Sequence, residues 1–179
     1  MAENTNKNLI ERLYIKYERM MFDIANGILK NSHEAEELVH EVFYNILQSN
    51  ALSKIKQFDS SAEKGYIISI IKNEAYKRYN IMEQTAAVDI DELYGLAGGE
   101  SAEDEAFNEF EAELVDKALL KLPPIDYEIL YLSFFCGLSN KEIAEQMNIT
   151  ENAVYQRIFR AKARLKKILI EEDMSYDKQ

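Results

Sequence analysis

The chain has 179 residues, 47% of them apolar and 30% charged, and a formal net charge of −11. That apolar share excludes wholesale disorder, and only six Gly and two Pro argue against a many-turned β-fold. A single cysteine, Cys136, excludes an internal disulfide; with a polar start, "MAENTNKN", and no apolar run near membrane-spanning length, the expected compartment is a reducing cytoplasm.

The first third reads as three helices. Leu9, Leu13, Tyr17, Met20, Ile24 and Ile28 recur at three- and four-residue steps and form one apolar stripe. "KNSH" breaks the pattern, with Asn31 or Ser32 placed to cap the next helix. In that second helix Ala35, Leu38, Val39, Val42, Phe43 and Ile46 face inward, leaving Glu37, His40, Glu41, Tyr44 and Asn45 on the outer face. After a loop around "KQFDSS", a third pattern over 63–79 sets the stripe Ile67, Ile70, Ile71 and Ala75 beside Tyr66, Lys72, Asn73, Tyr76, Lys77, Arg78 and Tyr79.

From residue 80 the periodicity lapses, and the balance of charge lapses with it. Residues 1–80 hold 11 basic and 11 acidic side chains, whereas 81–121 hold 2 and 12. The stretch contains "GLAGGES" and reads as a self-repelling tether, with a turn of helix expected near "IDELYGL". Helical spacing returns with Phe107, Phe110, Leu114, Ala118 and Leu122 and stops at Pro123-Pro124. A further helix is expected over 125–136, ended by Gly137 in the left-handed conformation, with Cys136 a small core residue beside Phe134 and Phe135.

Ser139 and Glu142 then form an S-x-x-E capping box, so a helix should start at Asn140 with Ile143, Ala144 and Met147 inward. "MNIT" is a short turn; Thr150 caps a second helix whose Val154, Ile158, Ala161, Leu165 and Ile168 recur at steps of 4, 3, 4 and 3. Its opposite face shows Asn152, Tyr155, Gln156, Phe159 and Arg160. Across 157–167 it carries six cations (Arg157, Arg160, Lys162, Arg164, Lys166, Lys167) and no acid. Two helices on so short a turn, the second with a polar front and a basic back, make a helix-turn-helix suited to duplex DNA. Polar groups in the first turns reach base edges, and the cations neutralise phosphates.

"LPPIDYEILYLSFFCGLSNKEIAEQMNITENAVYQRIFRAKARLKKIL" resembles region 4 of bacterial sigma factors. Leu122, Pro123, Gly137, Leu138, Ser139, Glu142, Ile143, Ala144, Val154, Arg157, Arg160, Ala161 and Leu165 stand in matching places, and Ala153 replaces a frequent Thr. "HEAEELVHEVFYNILQ" resembles sigma region 2 through Ala35, Glu36, Leu38, Val39, Glu41, Val42 and Phe43, with Glu37 in place of Asp and His40 in place of Gln. "KGYIISIIKNEAYKRYN" is similar to the family segment that melts the promoter, with Tyr66 where a Trp is usual.

The resemblance is to the sigma-70 family of the compact extracytoplasmic-function type. It implies an all-α chain of two small helical domains: a region 2-like domain at 1–80, an acidic linker at 81–105, a region 4-like helix-turn-helix domain at 106–172 and a tail at 173–179. It implies RNA polymerase core and promoter DNA as partners and admits an anti-sigma factor, with no cofactor and no membrane insertion. The core-docking face is then Glu37, His40, Glu41, Tyr44 and Asn45. The melted strand falls to Tyr66, Lys72, Asn73, Tyr76, Lys77, Arg78 and Tyr79, whose aromatic faces and cations suit unpaired bases and phosphates, Tyr66 being either a stacking platform or a core aromatic. Duplex contacts fall to Lys141, Thr150, Glu151, Asn152, Tyr155, Gln156, Arg157, Arg160, Lys162 and Arg164.

An enzyme is not expected. Glu37 occupies the position where H-E-x-x-H needs its second histidine, so His33 and His40 make a weak metal pair, and no phosphate-binding glycine loop occurs. The competing readings are a helix-turn-helix regulator that acts without polymerase and a sigma-like adaptor that no longer reads DNA.

Overall fold

The structure, a computed structural model, describes residues 2–86 and 106–176, and their side chains over 7–84 and 113–171. The described residues contain helices and no strand. The front half is α1 (Ala2–Leu29), α2 (Ser32–Gln48), the short α3 (Ala51–Ile55) and α4 (Ser60–Ala86). The rear half is α5 (Ala106–Leu120), α6 (Pro124–Leu130) continued by a π-helical turn (Tyr131–Phe135), then α7 (Asn140–Met147) and α8 (Glu151–Tyr176).

In the front half α1 packs on both α2 and α4, because each has a stripe wide enough to bury. The cap of α2 is Asn31, whose side chain accepts from the Glu34 amide at 3.2 Å. All six residues expected to point inward from α2 are buried. The α1 stripe is buried at Leu13, Tyr17, Ile24 and Ile28, joined by Met21 and Ala25; Leu9 and Met20 lie at its half-buried margin. In α4, Ile68 joins Ile67, Ile71 and Ala75 inside, and Ile70 is half-buried. Each fully buried Ile or Leu contributes about 1.5–3 kcal/mol, so these stripes hold the bundle together.

One polar cluster ties α4 to α1. Glu63, 4% exposed, accepts from Arg12 Nη2 at 2.5 Å, Lys16 Nζ at 2.9 Å and the Tyr17 hydroxyl at 2.9 Å. Burial alone would raise its carboxyl, but these donors outweigh that and hold it down at about 2.

Two boundaries differ from expectation. α4 continues through residues 81–86, which were expected to open the acidic linker; "IMEQTA" contains no breaker, and Met82 still packs against the core. α8 likewise runs to Tyr176, into the expected tail, since no Gly or Pro stops it. The "IDELYGL" turn and the "GLAGGES" break lie outside the described residues, as do the side chains of Phe107 and Phe110. Ahead of the loop expected around "KQFDSS", the short α3 buries Leu52 and Ile55, and α4 takes up the last two residues of that loop from Ser60.

The helix expected over 125–136 changes pitch midway. The Cys136 amide bonds to the Tyr131 carbonyl at 3.0 Å, five residues back, and the Leu138 amide to the Leu132 carbonyl at 3.0 Å, with Gly137 at φ 65°. The extra residue in that turn rotates Phe134 and Phe135 outward to 57% and 60% exposure while Cys136 stays buried. The two phenylalanines are therefore not core neighbours of Cys136, contrary to the sequence expectation.

The two halves share one apolar core. α6 lies on α1 so closely that a Cβ on Gly27 would stand 1.8 Å from Tyr127 Cε1. Tyr127 donates to the Asp23 carbonyl at 3.0 Å, and Tyr131 donates to Asp23 Oδ2 at 2.9 Å. Lys64 donates to the Cys136 carbonyl, and Gln146 to the Gly65 carbonyl at 3.0 Å.

Candidate nucleic-acid interface

The rear pair has the geometry that its caps dictate. Ser139 accepts from the Glu142 amide at 3.3 Å while Glu142 Oε2 accepts from the Ser139 amide at 2.8 Å, so both halves of the capping box form. These bonds from Ser139 hold the Glu142 carboxyl below the usual range. α7 ends at Asn148 in the left-handed region, φ 52°, and Thr150 Oγ1 accepts from the Ala153 amide at 3.2 Å to start α8. Ile143, Ala144, Val154 and Ala161 are buried at the crossing.

This leaves Glu151, Asn152, Tyr155 and Gln156 exposed on the first turns of α8, with Arg160 and Lys162 behind them and Lys141 on α7. Thr150 is exposed as well as capping. Three of the expected duplex contacts have neighbours within the protein. Arg157 is half-buried beside the carboxylate of Glu128, Lys162 lies 4.6 Å above the Phe134 ring, and Arg164 pairs with the buried Asp126. Phe159, 67% exposed, adds an aromatic to the same face.

On α2 the expected docking residues Glu37, His40, Glu41, Tyr44 and Asn45 are all exposed. His40 Nε2 lies 3.3 Å from the Tyr14 hydroxyl, and His33 pairs with Glu37 at 3.5 Å. Among the described residues no group of three or more His, Cys, Asp or Glu side chains is arranged to hold a metal ion.

The strand-binding set on α4 is split. Asn73 and Lys77 are exposed, with Lys77 held by Glu74 at 2.6 Å, and Tyr79 is half-buried. Arg78 bridges to α2 through Glu34 at 3.1 Å and Glu41 at 2.6 Å. Tyr66 packs on Phe58 at 5.3 Å against the core, which favours its structural reading in this conformation. Lys72 is 7% exposed: its ammonium donates to the Gln146 carbonyl and pairs with Glu128 at 3.5 Å. Tyr76 donates to Glu128 Oε2 at 2.6 Å. Burial first, then the Glu128 carboxylate, raises the Tyr76 phenol; burial likewise raises Glu128.

Glu128 and Gln146 are the participants missed from sequence. A signal was present for Glu128, which is the one charged residue in the apolar run "YEILYLSFFC" and so had to be buried with a partner. Gln146 carried none.

Residues 13–80 match the family described as Sigma-70 region 2, and residues 112–165 match Sigma-70, region 4. The chain belongs to the sigma-70 family. It is 27% identical over 159 residues to the ECF RNA polymerase sigma factor SigM of Bacillus subtilis (strain 168), covering 88% of this chain and 93% of that one. Its fold is similar to the sigma factor RpoE solved with the anti-sigma factor NepR from Bartonella quintana (TM-score 0.64, 20% identity, 89% of this chain and 95% of that chain). It is also similar to CnrH solved with the cytosolic domain of CnrY (TM-score 0.60, 19% identity, 92% and 90%). The regions matched are those of sigma factors, which direct promoter-specific initiation, and no enzyme family is among them. No helix among the described residues is long and apolar enough to cross a membrane.

Proposed function

We propose that this chain works in the cytoplasm as an extracytoplasmic-function sigma factor whose two modules handle two states of the promoter. Its front module docks on RNA polymerase core through Glu37, His40, Glu41, Tyr44 and Asn45. The neighbouring face of α4 takes the melted strand: Tyr76 and Tyr79 stack on bases, Asn73 hydrogen-bonds, and Lys72, Lys77 and Arg78 meet phosphates. The rear module holds intact duplex, with Glu151, Asn152, Tyr155 and Gln156 toward base edges. Lys141, Thr150, Arg157, Arg160, Lys162 and Arg164 lie toward the backbone. Chemistry on nucleotides belongs to the polymerase.

The observation that carries this reading is the joint exposure, in one chain, of the α2 outer face and the polar front of α8. Either alone suits many proteins; together they suit one that must hold a large enzyme and a duplex at once. An anti-sigma factor is a further proposed partner, on the precedent of the two structural neighbours. Run-off transcription with purified core and a promoter library tests the proposal. Transcripts that core alone does not make support it; tight duplex binding without any association with core would instead favour a free-standing regulator.

A further inference from the structure

Arg78 is given above to the strand face of α4, yet its guanidinium lies on α2. Its Nη2 donates to Glu41 Oε2 at 2.6 Å. Its Nη1 lies 3.1 Å from Glu34 Oε2, 3.3 Å from the Glu34 carbonyl and 4.0 Å from Glu37 Oε2. Among the described residues, every side-chain hydrogen bond between α4 and α2 comes from Arg78. Its neighbour Lys77 is held within α4 by Glu74 instead.

Glu34, Glu37 and Glu41 stand three and four residues apart on α2, so they share one helix edge and repel one another. Glu37 and Glu41 belong to the proposed docking set. A planar guanidinium offers its donors in a fixed fork, so Arg78 both neutralises the three acids and sets where their carboxylates stand. All three meet it through Oε2, while His33 Nε2 lies 3.5 Å from the other oxygen of Glu37. The Arg78 side chain is 25% exposed against 54% for that of Glu41, so the carboxylate is the group offered outward and the cation lies behind it. Ion pairs this near the surface add little to folding. What the arrangement does supply is a fixed presentation of acids on the docking face.

We infer that Arg78 is a positioning residue for core docking: from α4 it holds Glu41, together with Glu34 and Glu37, in the arrangement that the polymerase meets on α2. Arg78 also stands between Lys77 and Tyr79 of the strand set, so one side chain keeps the docking face and the strand face in fixed register. This rests on the reading of the α2 outer face as the docking surface, and it adds to the phosphate contact proposed for Arg78.

The test is a titration of the N-terminally labelled full-length chain with purified core polymerase and no DNA, so that a phosphate contact contributes nothing. Circular dichroism and the thermal midpoint show each variant to be folded. We expect about tenfold weaker binding for Arg78→Ala and about tenfold for Glu41→Ala. The double variant should also lose about tenfold rather than a hundredfold, since the second change removes what the first has already released. Arg78→Lys keeps the charge without the fork and should remain about threefold weaker than the parent. Parental or tighter binding by Arg78→Ala overturns the inference, because a mere counter-charge on α2 is dispensable for docking. Independent, multiplying losses in the double variant overturn it too, as does full recovery with Arg78→Lys. Tyr44→Ala, run alongside, reads the face itself. If it weakens binding and Arg78→Ala does not, the positioning role is wrong and the docking face stands; if neither weakens binding, the docking reading fails and takes the inference with it.

Discussion

The hydroxyl of Tyr17 donates to Glu63 at 2.9 Å inside the front bundle, and the same carboxylate draws in Arg12 and Lys16 from the solvent side. Because the folded carboxyl is held at about 2, below its ordinary 4.5, its contribution to stability is complete above pH 4.5. It is lost as pH falls through that window to about 2. The size is up to about 3 kcal/mol. Glu63→Gln should lower the chemical-denaturation midpoint of the front half at pH 7 and flatten its pH dependence between 4.5 and 2. Parallel pH profiles for the two proteins would show Glu63 to be dispensable.

Ser139→Ala removes the hydroxyl that accepts from the Glu142 amide and donates to Glu142 Oε2, leaving only the residue 139 amide on that carboxylate, so the start of α7 keeps half of its reciprocal cap. The expected cost is about 1 kcal/mol, read as a fall of a few degrees in thermal midpoint. Ser139→Thr should restore most of it.

Arg160 and Arg164 lie one turn apart on α8 but should behave differently. Arg160 is exposed, with its Nε on its own helix at the Gln156 carbonyl, 3.4 Å away. Its replacement by Ala should weaken duplex binding for all sequences and reduce the salt slope by about one, with no change in stability. Arg164 partners Asp126, whose side chain is 8% exposed, so Arg164→Ala leaves a buried carboxylate alone and should cost about 2 kcal/mol of stability. Salt-dependent titrations and denaturation curves on the same two variants separate the cases.

Tyr44 is 62% exposed on α2 and contributes little to the fold. Tyr44→Ala should leave the melting curve within about 0.5 kcal/mol of the parent, yet weaken association with core polymerase by tenfold or more, as loss of an aromatic interface anchor does. Unaltered affinity in a pull-down titration would remove α2 from the docking surface.

Local rules carried much of the fold. The six inward residues of α2 follow from helical period alone, and the Asn31 cap, the Ser139 box and the Gly137 terminator each depend on residues a few positions apart. What could not be read depends on long-range packing. Tyr76 and Glu128 are 52 positions apart and Lys72 and Gln146 are 74 apart, so no periodicity links them. Lys72 looks like a solvated cation in sequence because its stripe neighbours bury it only once α6 and α7 arrive. The π turn escaped for a related reason: a pitch change at Tyr131–Phe135 leaves composition untouched and moves only where Phe134 and Phe135 point.

The central claim, that one module holds unpaired template and the other intact duplex, is met most directly by permanganate footprinting of the full chain with core polymerase on a responsive promoter. Asn73→Ala should retain protection of the upstream duplex and lose permanganate reactivity of the downstream thymines, whereas Arg160→Ala should lower protection and reactivity together, both recovering at higher protein concentration. If Asn73→Ala instead melts the promoter as the parent does, or loses upstream protection to the same degree as Arg160→Ala, the assignment of the two modules to two forms of DNA is wrong.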